Sequence, residues 1–330
     1  MSYKAYIKRA IVRLLVEYGY SKSEARMISN EVISFYSDIG NSSKLSDSYE
    51  DVTSYYNVVD IEYLKNVYTN FDIVKYLGDR GFNEDEYSLV DANQYRKLNQ
   101  YLTDEYLLLW KKVILVEILS SYAKYVDSNY YDIVVDLNNS LTGINEEIDY
   151  KDDAINLIGS VFSDDVDWLY DKKVIDNEKK NYYSELFLDI KKYFKKVLEN
   201  NEWLTDDTKI SALLKLDAMK VYVGMDEYDD NYSEYIDISG DSLVSNIISI
   251  NKSIYKLELD RLENNEKSKG LGMSEVNAYY NPMENAVYIP SSIVFLDSSD
   301  NSYYDRLGNI GMVIAHEVTH GFDYNGSFFV

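Results

Sequence analysis

Cysteine is absent from the 330 residues, and proline and histidine occur only twice each. Without cysteine there is no disulfide framework, no thiol nucleophile and no thiolate metal site. That composition accords with a cytoplasmic location, which is the expectation here, with export or anchoring as the alternative if an upstream segment is missing. Both prolines, Pro282 and Pro290, come late, so nothing before them interrupts a helix in the way proline does. No apolar run approaches the roughly 18 residues that a membrane span requires. Charges interrupt the apolar positions of "MSYKAYIKRAIVRLLVEYGY", so it is not read as a signal peptide. Positive charge is scarce as well: 33 Lys and Arg stand against 57 Asp and Glu, a formal net charge of -24. Such a surface repels phosphate backbones and anionic lipid, so neither nucleic acid nor membrane is expected as a partner.

What is present is an ordinary globular composition, 46% hydrophobic and 27% charged, in a chain long enough for two domains or one large one. Helical periodicity dominates. Ile7, Ala10, Ile11, Leu14, Leu15 and Tyr18 fall on one face of an opening helix that Gly19 can end. Ser21 and Glu24 have the spacing of a capping box, with Ile28, Val32, Tyr36 and Ile39 as the stripe behind it. Further helices are expected over Trp110–Tyr125, Ala154–Tyr170 and Glu178–Leu198. Thr205 reads as the N-cap of another, with Asp206 and Asp207 at its positive end and Gly224 just beyond. Ile247, Ile250, Ile254 and Leu257 mark one more. These stripes are read as core packing.

Near residue 265 the texture changes. "ENNEKSKGLG", Glu263 to Gly272, is polar and punctuated by glycine, which suggests a domain boundary. Val276–Tyr280 and Ala286–Ile289 beyond it are strand-like. The residues between them, Asn281 to Asn285, have turn composition, so a β-hairpin is expected.

Both histidines lie in "VIAHEVTHGFDYNG", Val313 to Gly326. Gly311–Phe322 reads as a helix with Ile310, Val313, Ile314 and Val318 on its buried side. His316 and His320, four residues apart, project from one face of it and can meet a single Zn²⁺ at about 2.0–2.1 Å each. Glu317 is offset, so it approaches the water beside the metal rather than the metal itself. That is metallopeptidase geometry, with glutamate as the proton acceptor. A bare H-E-x-x-H arises by chance often enough to be only suggestive. Two purely structural histidines, however, would leave unexplained why both lie at ligand spacing behind an apolar helix.

The third ligand sets the class. The pattern H-E-x-x-H-x-x-G-x-x-H is excluded, because Asp323 and Gly326 stand where it needs glycine and histidine. The alternative is a glutamate from a second helix further downstream, a segment that residues 1–330 do not contain. Upstream glutamates are abundant but have no recognisable ligand context.

With these residues the sequence resembles the neprilysin family of zinc endopeptidases, whose bacterial members include oligopeptidases. "GMVIAHEVTHGFDYNG" is similar to the family's zinc helix, including the Gly-Phe-Asp after the second histidine. "VNAYYNPMENAVYIP" resembles its Asn-Ala-Tyr/Phe substrate strand and the strand that follows. In "WLTDDTKISALLKLDAMKVYVG", Trp203, Thr208, Lys209, Ala212, Lys215, Leu216, Met219 and Gly224 follow a family pattern, and "WKKVILVEILSSYAKY" is a weaker echo. The resemblance spans roughly residues 100 to 330.

It implies a mainly α chain. Residues 1–265 would form a large helical N-terminal domain that caps a thermolysin-like α+β zinc-peptidase domain. Residues 266–330 would be the start of that second domain, the β-hairpin plus the H-E-x-x-H helix. The resemblance further implies Zn²⁺ held by His316 and His320, Glu317 as catalytic base, and substrate-backbone contacts from Asn277 and Ala278. An edge strand also offers free N–H and C=O groups to which an extended peptide can add. Peptides would be the partners, and the complete enzyme is expected to be a monomer. Several positions depart from the family. After Pro290 it continues Ala-Gly, whereas this chain has "SSIVFLDSSD"; its paired glycines appear as Gly308-Asn309, and its glycine before the first histidine is Ala315. The third ligand, a glutamate, together with a supporting aspartate and a transition-state histidine, would lie beyond Val330. The chain is therefore expected to be part of an endopeptidase of oligopeptides and inactive alone. The reading from another class is a non-catalytic helical binding or scaffold protein that keeps a relict zinc helix.

Overall fold

An acidic sequence starts its helices with acid. Asp60, Asp72, Asp91, Asp127 and Asp176 each accept a backbone N–H from the first turn behind them, supplying partners that the helix itself lacks. The computed structural model describes residues 2–43, 56–144, 150–225, 236, 238, 241–264, 272–298 and 301–329. By packing, Met1–Tyr150 with Ile238–Lys252 form one unit, and Lys151–Asp237 with Ser253–Val330 form another. These units do not follow the expected division at residue 265. Residues 265–271, where that boundary stretch falls, lie outside the described residues, as does Val330.

In the first unit, α1 (Tyr3–Tyr18) ends at Gly19 as expected, and α2 (Lys22–Gly40) begins with the Ser21–Glu24 capping box. β1 (Asn57–Asp60), α3 (Ile61–Val67), α4 (Ile73–Gly78), β2 (Glu86–Leu89), α5 (Ala92–Gln100), α6 (Leu107–Tyr122) and α7 (Ser128–Thr142) follow. Ile11, Leu15, Ile28, Val32 and Phe35 pack with Val113 and Val116 of α6. Tyr36, expected on that stripe, is exposed, because Phe35 takes the inward position. β1 and β2 pair antiparallel over a separate small core of Leu64, Val67, Ile73 and Leu89.

The second unit has one larger core. The helix expected over Ala154–Tyr170 is two: α8 (Tyr150–Val161) and α9 (Ser163–Val174), broken at Phe162. Asp164 and Asp165 favour the positive start of a new helix there. α10 (Asn177–Glu199) and α11 (Asp206–Ala218) come next, and Thr205 caps α11 through Thr208 N–H. α11 stops at Met219. Gly224 instead follows β3 (Lys220–Val223), a strand that periodicity did not disclose. α12 (Leu243–Glu263) carries the isoleucine stripe; its residues up to Lys252 belong to the first unit and those from Ser253 to the second. β4 (Tyr279–Asn281) and β5 (Ala286–Ile289) are the expected hairpin, although its first strand is shorter than Val276–Tyr280. Asn277 turns its own N–H to the Glu275 carbonyl and its side-chain oxygen to Ala278 N–H, so it is not in the ladder. The sheet order is β3-β5-β4, with β3 parallel and β4 antiparallel to β5. Central β5 buries Ala286, Val287 and Ile289, as a strand flanked on both edges should. α13 (Ser291–Phe295), α14 (Tyr303–Gly308) and α15 (Ile310–His320) complete the unit. Among the described residues no helix is long and apolar enough to cross a membrane. The chain is mainly α, as expected.

Candidate metal centre

α15 is positioned by its apolar stripe. Ile310, Ile314 and Val318 recur every four residues and join the core containing Leu186 and Phe187 of α10 and Leu216 of α11. Val313 is only half-buried. The opposite side carries His316 and His320, whose Nε2 atoms stand 3.1 Å apart. Two nitrogens bound tetrahedrally to zinc at about 2.0–2.1 Å would be about 3.3 Å apart, so the pair fits that ion. Glu317 belongs to the same cluster: ligand atoms of the three side chains lie within 4.8 Å of one another. Among the described residues no further carboxylate joins the group.

Glu317 is 6% exposed. Burial pushes its carboxyl above the usual range, and the two imidazoles and the Tyr280 N–H pull it only partly back. The general-base candidate is thus tied to β4 through a backbone hydrogen bond. A cation bound nearby would lower it further.

Asp323 is the residue that sequence reasoning missed. Its Oδ2 lies 2.7 Å from His320 Nδ1, and its Oδ1 accepts the Gly326 N–H at 2.7 Å. Burial pushes its carboxyl up, but the Gly326 N–H and His320 outweigh that and hold it below its ordinary value. A carboxylate on Nδ1 selects the tautomer that leaves the Nε2 lone pair free for a metal. The signal was its position three residues after His320; it served to exclude another ligand pattern and, within Gly-Phe-Asp, to carry the resemblance, but was given no role at the site.

The glycines of "GFDYNG" have steric causes. A Cβ at Gly321 would press into Met219 and the Tyr280 ring, and one at Gly326 would collide with the His320 carbonyl. Lys215 of α11 donates to the Gly326 carbonyl at 2.6 Å and to that of Phe329. The Lys215 carbonyl accepts Asn285 Nδ2 at 2.8 Å, and Asn285 Oδ1 accepts Tyr280 Oη at 2.9 Å. One network therefore fixes the hairpin turn, α11 and the segment after α15. Asn277 is exposed and Ala278 buried, both just ahead of β4 at the sheet edge. The hydrogen bonds of Asn277 run to the Glu275 carbonyl and the Ala278 N–H, neither of them part of the histidine cluster.

The sequence matches the profile of peptidase family M13 in two stretches, its N-terminal part over residues 1–226 and its peptidase part over 277–329. The match reaches further toward the N-terminus than the expected residues 100 to 330. A neutral endopeptidase of Lactobacillus helveticus is 25% identical, covering 98% of this chain and 51% of the relative. A putative zinc metalloproteinase of Streptococcus gordonii is 29% identical over 67% of this chain and 40% of its own length. In fold, the crystal structure of PEPO from Lactobacillus rhamnosis superposes with a TM-score of 0.89 at 19% identity, over 99% of this chain and 53% of that one. The zinc metalloprotease ZMP1 of Mycobacterium tuberculosis, in complex with an inhibitor, gives 0.89 at 20% identity, over 99% and 50%. The chain spans about half the length of the curated relatives that it matches along its whole length.

Proposed function

The chain belongs to peptidase family M13, and we propose that it carries the two-histidine half of a zinc endopeptidase site that cuts oligopeptides. The observation that carries this reading is the pair of Nε2 atoms 3.1 Å apart, with buried Glu317 beside them on the same helix. Zinc bound there supplies Lewis acidity toward the scissile carbonyl and makes water easier to deprotonate. His316 and His320 would hold it through Nε2, and Asp323 keeps the His320 ring in place. Glu317 takes the proton from the attacking water and passes it to the leaving amine. The peptide lies extended along the edge of β4, with Asn277 and Ala278 against its backbone. Catalytic zinc needs three protein ligands, and we assign the third to a glutamate outside residues 1–330.

The division into a helical cap, residues 1–265, and the start of a catalytic domain, 266–330, belongs to this proposal as a division of function rather than of packing. So does action as a monomer. Metal analysis and a peptide-cleavage assay on the full-length protein test the reading. Stoichiometric zinc and Glu317-dependent cleavage are expected; their absence refutes it and favours the non-catalytic alternative. Residues 1–330 alone should lose zinc to a mild chelator and cleave nothing. Tight zinc in that piece would place the third ligand upstream.

A further inference from the structure

The lead-in to β4, residues 272–278, has little apolar anchorage: Glu275, Val276 and Asn277 are exposed, and Ala278 is buried. Polar bonds hold it instead. Ser292 donates its hydroxyl to the Glu275 carbonyl and its N–H to the Met273 carbonyl at 3.0 Å. Asp167 of α9 accepts the N–H groups of Ser274 and Met273. Ser291 donates to Asp171, one turn further along α9. Asp171 is 1% exposed and also takes Lys180 Nζ at 2.9 Å and Met225 N–H at 3.0 Å. That single carboxylate joins α9, α10, the residue after Gly224 and the first residue of α13. Both serines are buried, and burying hydroxyls and an ion pair is costly unless each finds its partner, as these do. The hydrogen bonds of the two serines run to Asp171, Met273 and Glu275 rather than to the histidines. The serines also stand where the sequence departs from the family pattern after Pro290.

We propose that Ser291, seated on the Asp171–Lys180 pair, and Ser292, acting with Asp167, are positioning residues for the peptide: they fix residues 273–278 so that Asn277 and the edge of β4 meet an extended chain in register. This rests on the endopeptidase reading above. Register matters because strand addition fails when the receiving groups are displaced along the strand. Apolar packing alone could not set it, since hydrogen bonds are the directional contacts here.

Ser291→Ala, Ser292→Ala and the double variant in the full-length protein test this, by amide exchange over residues 272–281 and by peptide kinetics. Ser292→Ala should raise exchange at the Asn277 and Tyr280 amides and raise KM about three- to tenfold, with kcat within about twofold. Zinc content should not change, and Ser292→Thr, which keeps the hydroxyl, should stay near wild type. A merely structural role would lower the melting temperature without separating KM from kcat. Leu198→Ala, at the far end of α10 in the same core, provides that comparison. Unchanged exchange over 272–281 in the double variant overturns the proposal, whether or not the protein cuts peptides. Faster exchange with unchanged KM in an active enzyme overturns the positioning role. If the wild-type protein cuts no peptide, the endopeptidase reading fails, and exchange alone decides whether the serines hold the segment.

Discussion

The helix that carries both histidines and the strand lead-in beside it are held by opposite means. α15 is seated by Ile310, Ile314 and Val318, all fully enclosed in one apolar core. Residues 272–278 are held by hydrogen bonds to Asp167 and Ser292 over an exposed surface. Close packing is non-directional but stiff, and it transmits any loss of volume to the whole core. Hydrogen bonds are directional, and losing one misaligns a segment while the core stays intact. A metal centre needs stiffness, because two ligand nitrogens must keep their separation. A peptide-binding edge needs alignment.

The comparison breaks most sharply at Glu317, which sits on the apolar-anchored helix and is the catalytic base in the proposed function. Glu317→Gln should keep zinc, since the proposal makes the residue a base and not a ligand, and lower kcat/KM by about 10²- to 10⁴-fold. Near-normal turnover of an oligopeptide would remove its role as base. Ile314→Ala attacks the seat itself. Truncating this fully buried side chain should cost about 2–5 kcal/mol in denaturant unfolding and loosen zinc with it. A cost under about 1 kcal/mol would mean that the stripe does not seat the helix.

The same contrast explains what was legible in the sequence. Elements held by apolar periodicity or a local cap could be read directly: α1 with Gly19, α2 with its Ser21 box, α11 with Thr205, and the helix of His316 and His320. β3 was not legible, because four residues carry no periodicity and its partner β5 lies more than sixty residues away. Tyr36 was misplaced on its stripe because neighbouring Phe35 competes for the inward position. In the site, the meeting of the His316 and His320 rings followed from spacing, whereas Asp323 required a ring orientation. The serine bonds were the least legible. They join residues as distant as Asp171 and Ser291, and the sequence showed them only as a departure from a pattern.

Between the two extremes lies Asp323, a polar support attached to the stiff helix. Asp323→Ala removes the partner of His320 Nδ1 and of Gly326 N–H. Zinc affinity, read by competition with a chelator, should fall about 10- to 100-fold, while the core stays folded. An unchanged affinity would show that packing alone orients the ring.

The smallest effect is expected at Asn277, at the aligned end of the comparison. If its side chain contacts the peptide backbone, Asn277→Ala should lower kcat/KM about three- to tenfold with zinc content unchanged. The residue also accepts its neighbour's N–H from Ala278 at 2.9 Å, so a loss on truncation could come from the bend ahead of β4. Asn277→Asp separates the two causes. Aspartate keeps an oxygen for Ala278 N–H but has no amide donor for a peptide carbonyl. Activity restored by aspartate would make Asn277 a builder of the bend. Activity still lost, with amide exchange over residues 276–281 at its wild-type rate, would place the side-chain amide on the substrate.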